Sequence, residues 1–571
     1  MSSLQTQLST NTQARKVSAS WWLDVALLCL TLGGLFFILL GTRPLFNPDE
    51  GRYAEITREM VASGNYLTPY LNGIKYFEKP VLFYWLGAAA IKIAGLNLWS
   101  LRSINALLAL LGCLFTYATA RQLYDRATGL LSAVILGTSV LYFVMAHTIS
   151  LDLTVTLFLM SCLYAFLLGT QTPFGIKRRG YLFGATIAAA LAVLTKGLIG
   201  IVFPAIIVGT WIAMTGQWRL LKQLYLPSCL VIFLAITAPW HILVGLHNPE
   251  FTYFYFIEQH FLRYTTLDVG HYQPAWFFIP CLLLGFFPWS VFLPQVIFTH
   301  LPTSRKHSHY QTELFFLLWA VLIFAFFSFS KSKLIPYILP VFPPLAILTA
   351  RYLLQAFHQK KQSGINISYI CLLTLSAGIA YTFYQFTQTT LLPNPFYAKM
   401  DLRLAAMLLV SGMIMSCIYA YRHHFKKAVM ITSITMGLFL LITLAGIPAI
   451  ETRSILPLAT LLKPMLRPQD DVITFNQYYQ DLPFYLERRV SILNWRNELT
   501  YGMQHQDTHE WMINDETFWQ RFHSHQRVFV IISNEQFAQL QQKYPHEKFY
   551  LLGKTINTTL ISNTPPSSLL K

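Results

Sequence analysis

Charge is scarce in this chain: Asp, Glu, Lys and Arg together make up 12% of 571 residues, about half the share usual in soluble domains. Acids are scarcer still, 25 against 42 Lys and Arg, leaving a net charge of +17. Cysteine is rare and scattered: seven residues (Cys29, Cys113, Cys162, Cys229, Cys281, Cys371, Cys417), no CxxC pair, and none after Cys417. That excludes a disulfide framework and a thiolate metal site and leaves small core-filling side chains. Neither an internal repeat nor a low-complexity tract occurs, which excludes a solenoid and a disordered chain.

What fills the space is apolar sequence. Hydrophobic residues make up 54%, gathered in runs such as Trp21–Gly41, Leu224–Val244 and Ala428–Ala445. Each is near the ~20 residues that carry a helix across ~30 Å of hydrocarbon. Helix is forced there because an unpaired backbone group in lipid costs several kcal/mol. Thirteen spans are expected, near 21–41, 101–119, 128–146, 152–169, 181–195, 198–214, 224–244, 275–295, 313–329, 335–356, 366–383, 403–421 and 428–446. The first run has no small-residue cleavage site after it and reads as a retained helix. Val81–Gly95 is apolar but short and reads as a helix lying along the membrane surface.

The positive charge sits in short loops between alternate runs: Arg121 and Arg126; Lys177, Arg178 and Arg179; Arg219 and Lys222; Arg305 and Lys306; Lys360 and Lys361; Arg422, Lys426 and Lys427. This is the positive-inside pattern, not a nucleic-acid surface, which would concentrate base on one domain. It puts Arg43–Leu98 and the C-terminal tail on the non-cytoplasmic side, which in a bacterial inner membrane is the periplasmic one. After about Glu451 polar residues return and apolar runs shorten to Val472–Phe475, Val490–Leu493, Val528–Ile532 and Phe549–Leu552, with helical stretches Glu516–His523 and Glu535–Lys543 between them. The expected architecture is therefore an α-helical polytopic membrane domain (1–450, with surface helices in 43–98) and a small periplasmic α/β domain (451–571) that carries no recognisable catalytic motif.

Polar residues of unusual type collect on the outer side. In Asn47-Pro48-Asp49-Glu50-Gly51-Arg52-Tyr53, Asn47 suits an N-cap and Pro48 a first helical position. Asp49 and Glu50 then lie in the first turn, with Arg52 and Tyr53 on the face of Asp49. These acids could merely complement the helix dipole. Further clusters are Tyr76-Phe77-Glu78-Lys79-Pro80; Asp152 at a span end; Lys196, which interrupts an apolar run; Glu258-Gln259-His260 with Arg263; and Lys331-Ser332-Lys333 before Tyr337. Carboxylates, lysines, an arginine, a histidine and tyrosines in one compartment suit an anionic substrate held in the membrane. A transporter would more naturally carry ionisable groups at the bilayer midplane and paired repeats.

The order NPDEGRYAEITREM, YFEKPVLFYWL, SLDLTVTLF, TKGLIG, EQHFLRY and KSKLIPYILP resembles the lipid A aminoarabinose transferases, and more broadly the protein O-mannosyltransferase superfamily with its GT-C fold. The likeness runs from the first span to about residue 346. It implies a glycosyltransferase that moves 4-amino-4-deoxy-L-arabinose from undecaprenyl phosphate to lipid A, with a role in polymyxin resistance. A related enzyme acting on protein or another glycan is the alternative. By the same resemblance Asp49 is the essential carboxylate and Asp152 the second acid of the cavity. Lys79, Lys196, Arg263 and Tyr337 reach the donor phosphate, while Glu50, Tyr53 and Tyr76 line the substrate site. Glu78 and His260 would hold a divalent metal, zinc in that family. The chain departs from the family pattern at Glu-Lys-Pro-Val, where a second proline is common, and at Lys-Leu-Ile-Pro in place of Lys-Leu-Pro.

Overall fold

The computed structural model describes residues 20–262, 272–300, 309–359, 363–389 and 392–566. Apolar runs form helices as expected. Among the described residues nine helices are long and apolar enough to cross a membrane, and two bent pairs raise the number to eleven. Thirteen crossings are not reached by those criteria. Ile176–Lys196 carries Lys177, Arg178, Arg179 and Lys196 within 21 residues, and Ile199–Thr215 has only 17. The segment expected along the surface is the helix Leu82–Ala94; its 13 residues reach about 20 Å, too short to span.

The two bent pairs break beside each other. Arg126–Gly137 and Val140–Ala146 meet at 69°, Ala275–Gly285 and Trp289–His300 at 110°. Groups freed by the breaks are satisfied across the gap: Val140 N donates to Phe287 O at 3.2 Å, and Trp289 Nε1 donates to Thr138 Oγ1 at 3.0 Å. Irregular backbone at membrane depth is tolerated where protein supplies such partners.

Between the first two long helices the chain forms the helix Asp49–Ser63, a short hairpin (Tyr70–Leu71 with Ile74–Lys75) and Leu82–Ala94. The hairpin turns at Asn72-Gly73, both at positive φ (54° and 76°), the conformation that favours Asn-Gly. The Asn72 amide exchanges two 2.9 Å hydrogen bonds with the Val490 backbone, docking the hairpin on the C-terminal domain.

That domain follows the last long helix, Phe425–Ile450. Its six-stranded sheet runs in the order Met512–Ile513, Ser491–Leu493, Asp471–Phe475, Val528–Ser533, Thr558–Ser562, Tyr550–Lys554; the first four strands are parallel and the last two antiparallel. The four apolar runs of the tail supply four of these strands. Helices Asp515–Phe522 and Asn534–Lys543 begin on side-chain caps from Asn514 and Ser533. One apolar core, including Tyr53, Tyr76, Tyr84, Tyr478, Leu482 and Phe484, is built jointly by this domain and the 45–101 segment.

Candidate active site

The site is organised around the start of the Asp49–Ser63 helix, and the two adjacent acids there divide the work. Glu50 is fully buried. Its Oε1 accepts from Arg102 Nε at 3.0 Å, Arg43 Nη2 at 3.1 Å and Ile149 N at 2.8 Å. Its Oε2 accepts from Arg102 Nη2 at 3.0 Å, Phe46 N at 3.0 Å and Arg43 Nη1. Burial alone would raise this carboxyl, but Arg102 and Arg43 more than offset it and hold it down at about 2. Expected from sequence to line the substrate site, Glu50 lies buried with six donors on its two oxygens, tying together the 43–46 loop, the Leu98–Leu123 helix and the turn at Ile149. Asn47 also departs from expectation. The helix starts at Asp49 after Pro48, with no side-chain cap, and the Asn47 amide instead reaches the C-terminal domain, donating to Asp481 Oδ1 at 2.5 Å and accepting from Asp481 N at 3.2 Å.

Asp49, one residue earlier, keeps 57% of its side chain exposed and pairs with Arg52 Nη1 at 2.9 Å, the i,i+3 relation read from the sequence. Arg52 uses its other terminal nitrogen to pair with Glu498. Tyr53 is buried; burial pushes its phenol well above the usual range, and the negative charges of Asp49 and Asp152 push it further. This hydroxyl therefore stays protonated between the two predicted catalytic acids.

Asp152 opens the Leu151–Gln171 helix. Ser150 Oγ accepts from the Asp152 backbone at 3.2 Å and donates to its Oδ2 at 2.9 Å. The other carboxylate oxygen pairs with Lys196 Nζ, which lies 4.3 Å from the centre of the Tyr337 ring. Three residues far apart in sequence form one cation–carboxylate–aromatic unit. Glu50 fixes Ile149, three residues before Asp152, so the same buried carboxylate positions both Asp49 and Asp152.

Tyr76 is buried near Arg52 and Tyr53. Burial raises its phenol; Arg52 opposes that, and Glu78 and Glu498 add to it. Lys79 Nζ donates to Glu78 O at 3.0 Å and stands 4.0 Å from the Glu78 carboxylate. Glu78 also raises the carboxyl of Glu498, where burial is the larger cause and Arg52 opposes it. Among the described residues no three His, Cys, Asp or Glu side chains converge on a point; the His260 ring and Arg263 lie outside the described residues, so the expected metal pair is described only through Glu78. The segment leading to His260 is held by the C-terminal domain: Phe254 stacks on Tyr501 at 3.9 Å, and Tyr501 Oη donates to Glu250 O at 2.8 Å.

Glu498 is the residue the sequence reading missed. It lies in a domain without a catalytic motif and reaches the site only through tertiary packing. Gly51 carries a trace of that contact. A Cβ there would stand 2.6 Å from Asp481 N, so the helix can approach the C-terminal domain only with glycine at its third residue.

Comparisons with known proteins agree with this architecture. Residues 21–261 match the dolichyl-phosphate-mannose-protein mannosyltransferase family, and residues 458–556 match the aminoarabinose transferase C-terminal domain. The chain is 37% identical over 356 residues to undecaprenyl phosphate-alpha-4-amino-4-deoxy-L-arabinose arabinosyl transferase 1 of Proteus mirabilis, an alignment spanning 61% of this chain and 62% of that one. To the second such transferase of the same organism it is 30% identical over 511 residues, 85% of this chain and 89% of the other. The crystal structure of ArnT from Cupriavidus metallidurans bound to undecaprenyl phosphate superposes with a TM-score of 0.83 at 29% identity, covering 95% of this chain and 98% of that one. Similarity of this extent, through both the helical domain and the C-terminal domain, makes the chain a member of the undecaprenyl phosphate-aminoarabinose arabinosyl transferase family of membrane glycosyltransferases.

Proposed function

We propose that the protein transfers 4-amino-4-deoxy-L-arabinose from undecaprenyl phosphate to a phosphate of lipid A, on the periplasmic face of the inner membrane. The observation that carries this reading is the unit Asp49, Tyr53, Asp152, Lys196 and Tyr337, assembled at one end of the helical bundle, an arrangement of acids, cation and aromatics suited to a phosphate-linked sugar. The basic loops support the orientation. Asp152 and Lys196 stand at the site end of Leu151–Gln171 and Ile176–Lys196, and Lys177, Arg178 and Arg179 stand at the opposite end.

Transfer breaks the anomeric C–O bond of the donor and releases undecaprenyl phosphate, so negative charge grows on the phosphate oxygens. Lys196, Lys79 and Arg263 are the cations assigned to that charge; fixed cations in a site shielded from water stabilise it without reorganising. Asp152 holds the Lys196 ammonium in place, and Tyr337 limits its movement. The acceptor phosphate attacks the opposite face of the sugar and forms the new C–O bond, with inversion. Already ionised, it needs no general base. Asp49, oriented by Arg52, faces the sugar, and its charge favours both the cationic amine and the positive character of the anomeric carbon in the transition state. A divalent ion on Glu78 and His260 would add Lewis-acid stabilisation of the leaving phosphate; metal analysis of the purified protein and of a Glu78→Gln variant tests that assignment, and equal metal content in the two removes it.

Mass spectrometry of lipid A is the direct test. Cells expressing the protein should gain a pentosamine on a lipid A phosphate and bind polymyxin less, since the added amine offsets phosphate charge. Unchanged lipid A together with a modified glycoprotein would refute the assignment of the acceptor.

A further inference from the structure

A second cavity lies at the end of the bundle opposite the acidic site, between Leu98–Leu123, Leu151–Gln171 and Ile176–Lys196. Its volume is about 580 Å³, and Trp21, Phe115, Arg121, Leu168, Tyr181 and Gly184 are among the residues that line it. Nothing in the sugar-transfer reading uses it.

Its shape follows from missing side chains. Lys177, Gly180, Tyr181 and Gly184 fall at i, i+3, i+4 and i+7 of one helix and so share a face. A Cβ at Gly180 or Gly184 would meet nothing within 4 Å. The face is therefore an open trough, walled by Phe115 and Leu168 on the neighbouring helices. Its polar end is cationic. Arg121 lies in the last turn of its helix and pairs with Asp24 at 2.9 Å; Arg126 pairs with the same carboxylate at 2.6 Å. Asp125 caps the following helix through Thr128 without losing its charge and balances the second guanidinium. The net positive charge at this end therefore comes from Lys177, Arg178 and Arg179 in the first turn of Ile176–Lys196, of which Lys177 is exposed and shares the face of Tyr181 and Gly184. Tyr181 Oη donates to Gln122 Oε1 at 3.1 Å, and Trp21 lies against Arg121 at 5.2 Å. A Trp and a Tyr beside the cations mark the headgroup level of a bilayer.

We propose that this trough binds an anionic phospholipid of the leaflet opposite the sugar-transfer site. The phosphodiester lies between Arg121 and Lys177, and one acyl chain runs over Gly180 and Gly184 against Phe115 and Leu168. Basic pockets between membrane helices on that side are suited to anionic headgroups, and the apolar floor demands a chain as well as a charge.

Native mass spectrometry of the full-length protein in mild detergent, offered phosphatidylglycerol or phosphatidylethanolamine, tests this. Phosphatidylglycerol adducts should exceed phosphatidylethanolamine adducts about fivefold or more, and Lys177→Gln should weaken retention about fivefold, the effect of one cation near an anionic headgroup. Gly184→Leu fills the trough without touching the ion cluster; it should abolish phosphatidylglycerol adducts while thermal stability and elution volume stay as in the parent. Displacement of the lipid by millimolar inorganic phosphate would show a free-anion site and overturn the proposal. So would equal retention of the two lipids, or undiminished phosphatidylglycerol binding by Gly184→Leu.

Discussion

Asp49 and Glu50 are neighbours of the same chemical type, and replacing each by its amide should give opposite results. Glu50→Gln removes the charge facing two buried guanidiniums, since Arg43 and Arg102 are 2% and 0% exposed. Both oxygens of Glu50 accept hydrogen bonds, three each, so whichever way the amide turns its NH2 faces N–H donors. Breaking a buried pair by removing one partner costs about 3–5 kcal/mol. The hold on the Glu50 carboxyl gives a similar size: a fall from 4.5 to about 2 corresponds to about 3 kcal/mol at ~1.4 kcal/mol per tenfold. The sign fixes the pH window. A carboxyl held below its unfolded value stabilises the fold fully above about pH 4.5 and loses that stabilisation as pH falls toward about 2. Glu50→Gln should therefore unfold at a markedly lower temperature than the parent at neutral pH, with the difference shrinking below about pH 4.5. Asp49→Asn removes the exposed partner of Arg52 (57% against 13% exposed), which keeps its pair with Glu498, and should change stability by about 1 kcal/mol or less, yet abolish transfer with membrane insertion intact. Detergent-solubilised protein followed by intrinsic fluorescence on heating, alongside lipid A modification, measures both. A Glu50→Gln protein as stable as the parent would refute the hub assigned to Glu50, and normal transfer by Asp49→Asn would refute the role of Asp49.

Three further outcomes follow from the geometry. Asp152→Asn and Lys196→Gln should each lower kcat/KM by about a hundredfold, and the double variant should lose little more, because the pair acts as a unit; additive losses measured in a double-mutant cycle would separate them. Glu498→Gln frees Arg52 to pair with Asp49 alone and should reduce kcat about tenfold, roughly the loss of one charged hydrogen bond, without lowering the amount of protein in the membrane; unchanged turnover would remove the C-terminal domain from the site. Asp481 is buried, and burial raises its carboxyl to about 7 against the hydrogen bonds from Asn47 and Ile455 that favour its charge. Its contribution to stability is thus full below about pH 4 and lost as pH rises through about 7, so Asp481→Asn should flatten the fall in thermal stability across that interval; an unchanged slope would contradict the burial argument.

Read alone, the sequence dictates helix through the membrane domain, because backbone buried in lipid has no partner but itself, but not the number of crossings, thirteen expected against nine to eleven among the described residues. It also determined four strands of the tail, the acid-bearing first turn and the pairing of Asp49 with Arg52, all of which are consequences of local spacing. What it left open depends on partners brought from far along the chain. Asp49 and Glu50 differ by about 100° around one helix, and only the arrival of Arg43, Arg102 and Ile149 decides which of them is buried. Asn47 has the side chain of a cap but finds Asp481. Glu498 and the Asp152–Lys196–Tyr337 unit belong to the site for the same reason. A charge in a low-dielectric place persists only beside its complement, and which residues supply that complement is a property of the packed molecule.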